Sequence, residues 1–143
     1  MTIASILARK GGNVVSVGPG EDAVGVAATL ARHRIGAVLV RDGAGVVLGI
    51  LSERDIVRAI GKDGTAALAM TARQMMTSDV HSVSPDTGIN EALGEMTDRR
   101  IRHLPVMTAG TVAGMVSIGD LVKARMDAII EEAESLRAFV TAS

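Results

Sequence analysis

Two stretches, GVVLGILSERDIVRA at 45–59 and GTVAGMVSIGDLVKA at 110–124, are two spellings of one pattern. Each is an apolar run interrupted by glycine, then Ser, then Asp three places later at the head of an apolar-periodic segment. Working outward, RIGAVLV at 34–40 is echoed by RIRHLPV at 100–106, and SVGP at 16–19 by SVSP at 82–85. The last two pairs share one spacing, and a single residue fewer in the intervening loop brings 45–59 onto 110–124. Self-similarity in register over so much of the chain marks a duplicated unit.

Both copies read alike. A short strand over 14–17 or 80–83 meets a proline and passes into a helix over 22–34 or 87–100, with Val26 and Leu30, or Leu93 and Met96, at helical spacing. A strand over 37–40 or 103–107, a glycine-containing turn and a second strand over 46–51 or 112–116 follow. A second helix starts at Ser52 or Ser117. The expected class is α/β (α+β), two β-α-β-β-α units packed as a pseudo-twofold pair, since each is too small to cover both faces of its own sheet. The organisation read from the sequence is a first unit over 1–62 with an N-terminal helix over 3–8, and a linker over 63–78 with short helices. The second unit spans 79–143 and ends in a long helix over 121–138. The Gly-Lys-Asp-Gly run at 61–64 reads as a turn.

Composition narrows the chemistry. The chain has 143 residues, 48% apolar and 22% charged, with Phe139 as its one aromatic side chain. Its core must therefore be aliphatic, with the eight Met residues as adaptable filler. Aromatic platforms for single-stranded nucleic acid are excluded. A formal charge of −1 supplies no global field toward DNA or anionic lipid, so any phosphate site must be local. The absence of Cys removes disulfides, thiolate zinc sites and thiol nucleophiles. The apolar stretch at 3–8 is too short for a secretory core and carries Arg9 and Lys10 on the wrong side, and no run approaches a membrane span. The expectation is a cytoplasmic protein with no nucleic-acid or membrane partner.

Ser52 with Asp55, and Ser117 with Asp120, stand where a strand runs into a helix. One reading is a capping box, Ser receiving a helix N–H and Asp reaching back. The other is ligand binding: free N–H groups and the positive end of the helix dipole suit phosphate, Ser adds a hydroxyl, and a carboxylate can accept both hydroxyls of a ribose. The two are compatible. A Ser117–His103–Asp120 triad is disfavoured, because Ser and Asp three apart on a helix leave no place for a histidine between them, and no G-x-S-x-G elbow is present. The three histidines, at 33, 81 and 103, lack metal-ligand spacing, and no P-loop or dinucleotide fingerprint follows a strand. No catalytic and no metal residues are expected.

The repeated unit, ending in glycine, two apolar residues and Ser-x-x-Asp with an apolar-Pro-Val string ahead of it, resembles a tandem pair of cystathionine beta-synthase (CBS) domains. The likeness covers roughly 14–125, so no attached catalytic or channel domain is expected, and it is strongest to stand-alone bacterial signal-transduction members. The resemblance implies a non-enzymatic sensor of an adenine nucleotide (AMP, ATP or NAD), needing no metal, acting as a homodimer and signalling to an unspecified downstream protein. It implies that Asp takes the ribose diol and Ser approaches the phosphate. Adenine held with Asp55 would then lie on Val80 and His81 against Ile50 and Pro105. The mate of that site would use Val14 and Val15 with Met115, Leu39 and Asp120. The resemblance also assigns Arg102 and His103 to phosphate, whereas Arg99 and Arg100 suffice as a solvated helix end; Arg54 is either a phosphate ligand or simply exposed. Gly36 and Ala37 replace Arg102 and His103 in the first copy, so the two sites should differ, the Asp120 site having less positive charge. The alternative function is a ligand-free structural or protein-interaction module.

Overall fold

Along the chain come α1 (Ile3–Lys10), β1 (Ser16–Val17), α2 (Ala23–His33), β2 (Ala37–Arg41), β3 (Val47–Ser52), α3 (Glu53–Asp63), a 3-10 segment (Gly64–Ala69) and α4 (Ala72–Met75). Then follow α5 (Ile89–Arg99), β4 (His103–Thr108), β5 (Thr111–Ser117) and α6 (Ile118–Ala142). This computed structural model describes residues 1–142. The elements gather into two compact units, one of Val14–Val80, the other of Met1–Asn13 with the chain from His81 onward. The mixed α+β class expected from the repeat is the one observed.

In the first unit β2 is the central strand, parallel to β1 and antiparallel to β3. Val38, Leu39 and Val40 are fully buried, which is why this strand reads as a continuous apolar run rather than an alternating one. In the second unit β4 and β5 pair antiparallel. The strand expected over 80–83 is reduced to one parallel bridge, Val83 to Val106. The duplication extends to irregularities: each hairpin carries a register shift at the same point of the repeat, Val40/Arg41 and Val106/Met107. Arg34 and Arg100, which open the echoed RIGAVLV and RIRHLPV strings, both adopt left-handed backbone at φ 54 to end α2 and α5. A non-glycine residue is uncommon there, so its recurrence is a structural signature of the copied unit.

Packing crosses the order of the chain in two places. The N-terminal helix, which precedes the first copy along the chain, packs with elements of the second: Ile3 and Ile6 share a core with Ile89, Met96, Leu104 and Leu121. Likewise the stretch over 63–78 contributes to the first core through Ala67, Ala72 and Met75. Both leaders dock in the same way on the start of a repeat. Ile3 and Ala4 donate their N–H groups to the carbonyls of Thr87 and Pro85, and Ala72 and Arg73 donate theirs to Glu21 and Pro19. Each then crosses a strand glycine: a Cβ on Gly49 would lie 2.7 Å from Met76 Sδ, and one on Gly114 would lie 2.6 Å from Leu7 Cδ2. Finally, 61–64 is not a turn, because α3 runs to Asp63 and ends only at Gly64, whose φ of 63 suits glycine.

Candidate functional site

The strand-to-helix corners form as capping boxes in both units. Asp55 Oδ2 accepts from Ser52 N–H at 2.8 Å and from Ser52 Oγ at 3.1 Å, and Asp55 N–H donates back to Ser52 Oγ at 3.4 Å. In the second copy Asp120 Oδ2 accepts from Ser117 N–H at 2.9 Å, and Asp120 N–H donates to Ser117 Oγ at 3.1 Å. Behind each box the residue just ahead of the hairpin's first strand lends a carbonyl to the helix start: Gly36 accepts from Glu53 N–H, and Arg102 from Ile118 N–H, both at 2.9 Å. The corners are thus superposable in chemistry, each with a carboxylate held at the positive end of a helix.

They differ in what the carboxylate already holds. Among the described residues the cation near Asp55 is Arg58, whose Nη1 stands 3.9 Å from Oδ1 and whose side chain is 75% exposed. Asp120, by contrast, accepts from Lys10 Nζ at 2.6 Å, and the same ammonium donates to the Met115 carbonyl at 2.9 Å. Burial alone would raise the Asp120 pKa, but the Lys10 hydrogen bond and charge, with the Ser117 N–H, outweigh it and hold the carboxyl below its ordinary value. Lys10, Asp120, Arg9, Lys123 and Asp127 line a cavity of about 270 Å³ beside α1 and α6. Lys10 thus brings to Asp120 a cation that lies far away in sequence and that the comparison of Gly36 and Ala37 with Arg102 and His103 did not include. The basic pair ending α1 was the available signal, but nothing in its spacing connects it to Asp120.

The other expected residues fall into two groups. In the first unit Leu39 pairs with Ile50 and Ala37 with Ser52 across β2 and β3. Leu39 is completely buried, so it can act as a floor but presents no open face. Ile50 exchanges both backbone hydrogen bonds with Thr77, so its edge is occupied by backbone. Val14, Val15 and Val80 are half-buried, and Arg54 is exposed on the first turn of α3. In the second unit Pro105 pairs with Met115 and His103 with Ser117. Pro105 is buried, and Arg102 is exposed next to the Ser117 corner. His81 lies 3.1 Å from Arg99 Nη1. Ser117 and Asp120 bond directly to each other, an arrangement that caps a helix rather than activating a nucleophile. No group of three or more His, Cys, Asp or Glu side chains among the described residues is placed to hold a metal ion.

Two copies of an α+β unit, each with a strand running into a carboxylate-bearing helix start, define a duplicated α+β module. The chain belongs to the CBS domain family, whose model matches residues 3–62 and 72–127. It is similar to the mitochondrial CBS domain-containing protein CBSX3 of Arabidopsis thaliana, 37% identical over 116 residues covering 78% of this chain. It spans only 56% of that relative's length. Among solved structures it is similar to the CBS-domain containing protein ATU1752 of Agrobacterium tumefaciens, at 43% identity and a TM-score of 0.86, covering 87% of this chain and 99% of that one. It shares the fold of the CBS domain pair of protein MJ0100, solved with 5′-methylthioadenosine and S-adenosyl-L-methionine, at 20% identity and a TM-score of 0.78 over 89% and 97% of the two chains.

Proposed function

We propose that this protein is a non-catalytic signalling module that binds an adenine nucleotide (AMP, ATP or NAD) through its Ser-x-x-Asp corners. The observation that carries the reading is the Asp55 corner: Oδ2 is consumed by Ser52, while Oδ1 faces only Arg58 at 3.9 Å among the described residues. A half-used carboxylate at a helix start is suited to a vicinal diol, with phosphate drawn to the N–H groups and dipole. The adenosine-bearing ligands of the MJ0100 pair support that ligand class. In the first unit the residues proposed to serve the ligand are Ser52, Arg54, Asp55, Ile50, Leu39, Val14, Val15 and Val80. In the second they are His81, Arg102, His103, Pro105, Met115, Ser117 and Asp120. No metal is required for these contacts.

A homodimer is part of the proposal, because Val57 and Ile60 on α3 and Val122, Ile129 and Ile130 on α6 leave more apolar side chain exposed than a monomer of this size usually does. Among the described residues no helix is long and apolar enough to cross a membrane, and a cytoplasmic location is proposed with it. Thermal unfolding with and without AMP, ATP and NAD tests the reading. The expected result is a concentration-dependent rise in Tm with at least one of them, without nucleotide turnover in parallel chromatography. No rise with any of the three would favour the ligand-free interaction module, and turnover would favour an enzyme.

A further inference from the structure

Helix α6 is longer than its own unit uses. Of its 25 residues, Leu121 and Ala124 are the buried ones, both in its first two turns. Farther along, Asp127 is tied back to α1 through Arg9 at 3.4 Å. On a different face, Val122, Met126, Ile129, Ala133, Leu136 and Val140 follow one another at alternating spacings of four and three residues. That is an unbroken a/d heptad seam, with Met126, Ala133 and Val140 at a and Val122, Ile129 and Leu136 at d. At about 100° per residue this seam points well away from the Leu121–Ala124 face, so the helix can pack on its own unit and offer the seam at once. Its side chains are exposed: Met126 by 57% and Leu136 by 65%.

The flanking charges indicate what covers it. With this register, Glu132 occupies g and Arg137 the following e position. In a parallel, in-register pair of identical helices, g of one chain meets the next e of the other, so Glu132 meets the second copy's arginine, twice by symmetry. An antiparallel pair brings g against g and e against e, setting Glu132 against its own copy and Lys123 against Arg137, which is repulsive. We infer that the seam of α6 is a parallel, left-handed coiled-coil segment whose occupant is α6 of a second copy of this chain. This deepens the homodimer part of the proposed function and is independent of the nucleotide.

Sedimentation equilibrium of the full chain, with Leu136→Glu and Leu136→Cys, tests it. Leu136 is largely exposed, so neither substitution should alter the fold, which circular dichroism and Tm would verify. The wild type should sediment at about twice 14.7 kDa at micromolar concentration. Leu136→Glu buries an unpaired carboxylate in the seam and should raise the dimer dissociation constant at least about tenfold. The natural chain has no cysteine, so Leu136→Cys offers a single thiol per copy, and it should oxidise to a covalent dimer only if the two d positions face each other. A dimer unaffected by Leu136→Glu overturns the seam and leaves the homodimer standing. A monomeric wild type overturns both. A dimer whose Leu136→Cys form stays reduced under oxidant overturns the parallel arrangement.

Discussion

Replacing Asp55 by alanine removes two things at once, and the structure allows them to be weighed separately. The first is half of a capping box: Ser52 N–H and Oγ–H, at 2.8 and 3.1 Å, lose their acceptor. Such a loss costs about 0.5–2 kcal/mol, whereas the contact with the exposed Arg58 at 3.9 Å adds almost nothing. The fold should survive with Tm lowered by a few degrees, since Ser52 Oγ remains to cap α3. The second is the free carboxylate oxygen. If it accepts a ribose diol, the charge-assisted bond lost is worth roughly 1.5–3 kcal/mol, or about a 10- to 150-fold weakening of nucleotide affinity. Asp55→Asn separates the two effects, because an amide oxygen still receives the Ser52 N–H while the charge is gone. It should recover much of the stability yet bind less tightly than wild type. Asp120→Ala should weaken binding less, since that carboxylate is already engaged by Lys10 at 2.6 Å. Calorimetric titration with AMP, alongside ligand-free melts, reads both quantities. Wild-type affinity and stoichiometry in Asp55→Ala and Asp120→Ala alike would show that the carboxylates serve the helix starts only.

Other consequences can be measured. Lys10 helps to hold the Asp120 carboxyl below its ordinary value against the opposing effect of burial, so the stability it contributes is present above the unfolded pKa of about 3.9 and lost as pH falls through the folded value. Lys10→Met should therefore be modestly less stable than wild type at pH 7, with the gap closing below about pH 4; an equal gap in melts at both ends would contradict the pairing. Gly49→Ala must push against the Thr77 carbonyl at 2.7 Å, whereas Gly114→Ala meets only the flexible end of Leu7, so the first should lose on the order of 1–3 kcal/mol and the second less, as read by urea unfolding. Arg102→Ala should weaken AMP binding and flatten its dependence on salt, because a screened phosphate contact is removed; titrations at low and high ionic strength with unchanged slopes would exclude Arg102 from that role.

Much of the fold was legible in the sequence because its determinants are local. Short apolar strand runs, the prolines after Val17 and Val83, and the Ser-x-x-Asp boxes act over a few residues. Both boxes formed where the spacing places them, Asp55 and Asp120 reaching back to Ser52 and Ser117. The duplication itself needed no structure, since two copies in register carry the same local instructions. What the sequence did not disclose was where the leaders go. The spacing of Ile3 and Ile6 says that α1 has an apolar face, but burial is non-directional and any exposed core would satisfy it. Only the tertiary structure put that face against Ile89, Met96 and Leu104 of the second unit, and Ala72 and Met75 into the first. That docking brought Lys10 to Asp120, which made two chemically identical corners electrostatically different. A short-range box can be read along the chain, but the charge that modifies it arrives through a contact between residues more than a hundred positions apart.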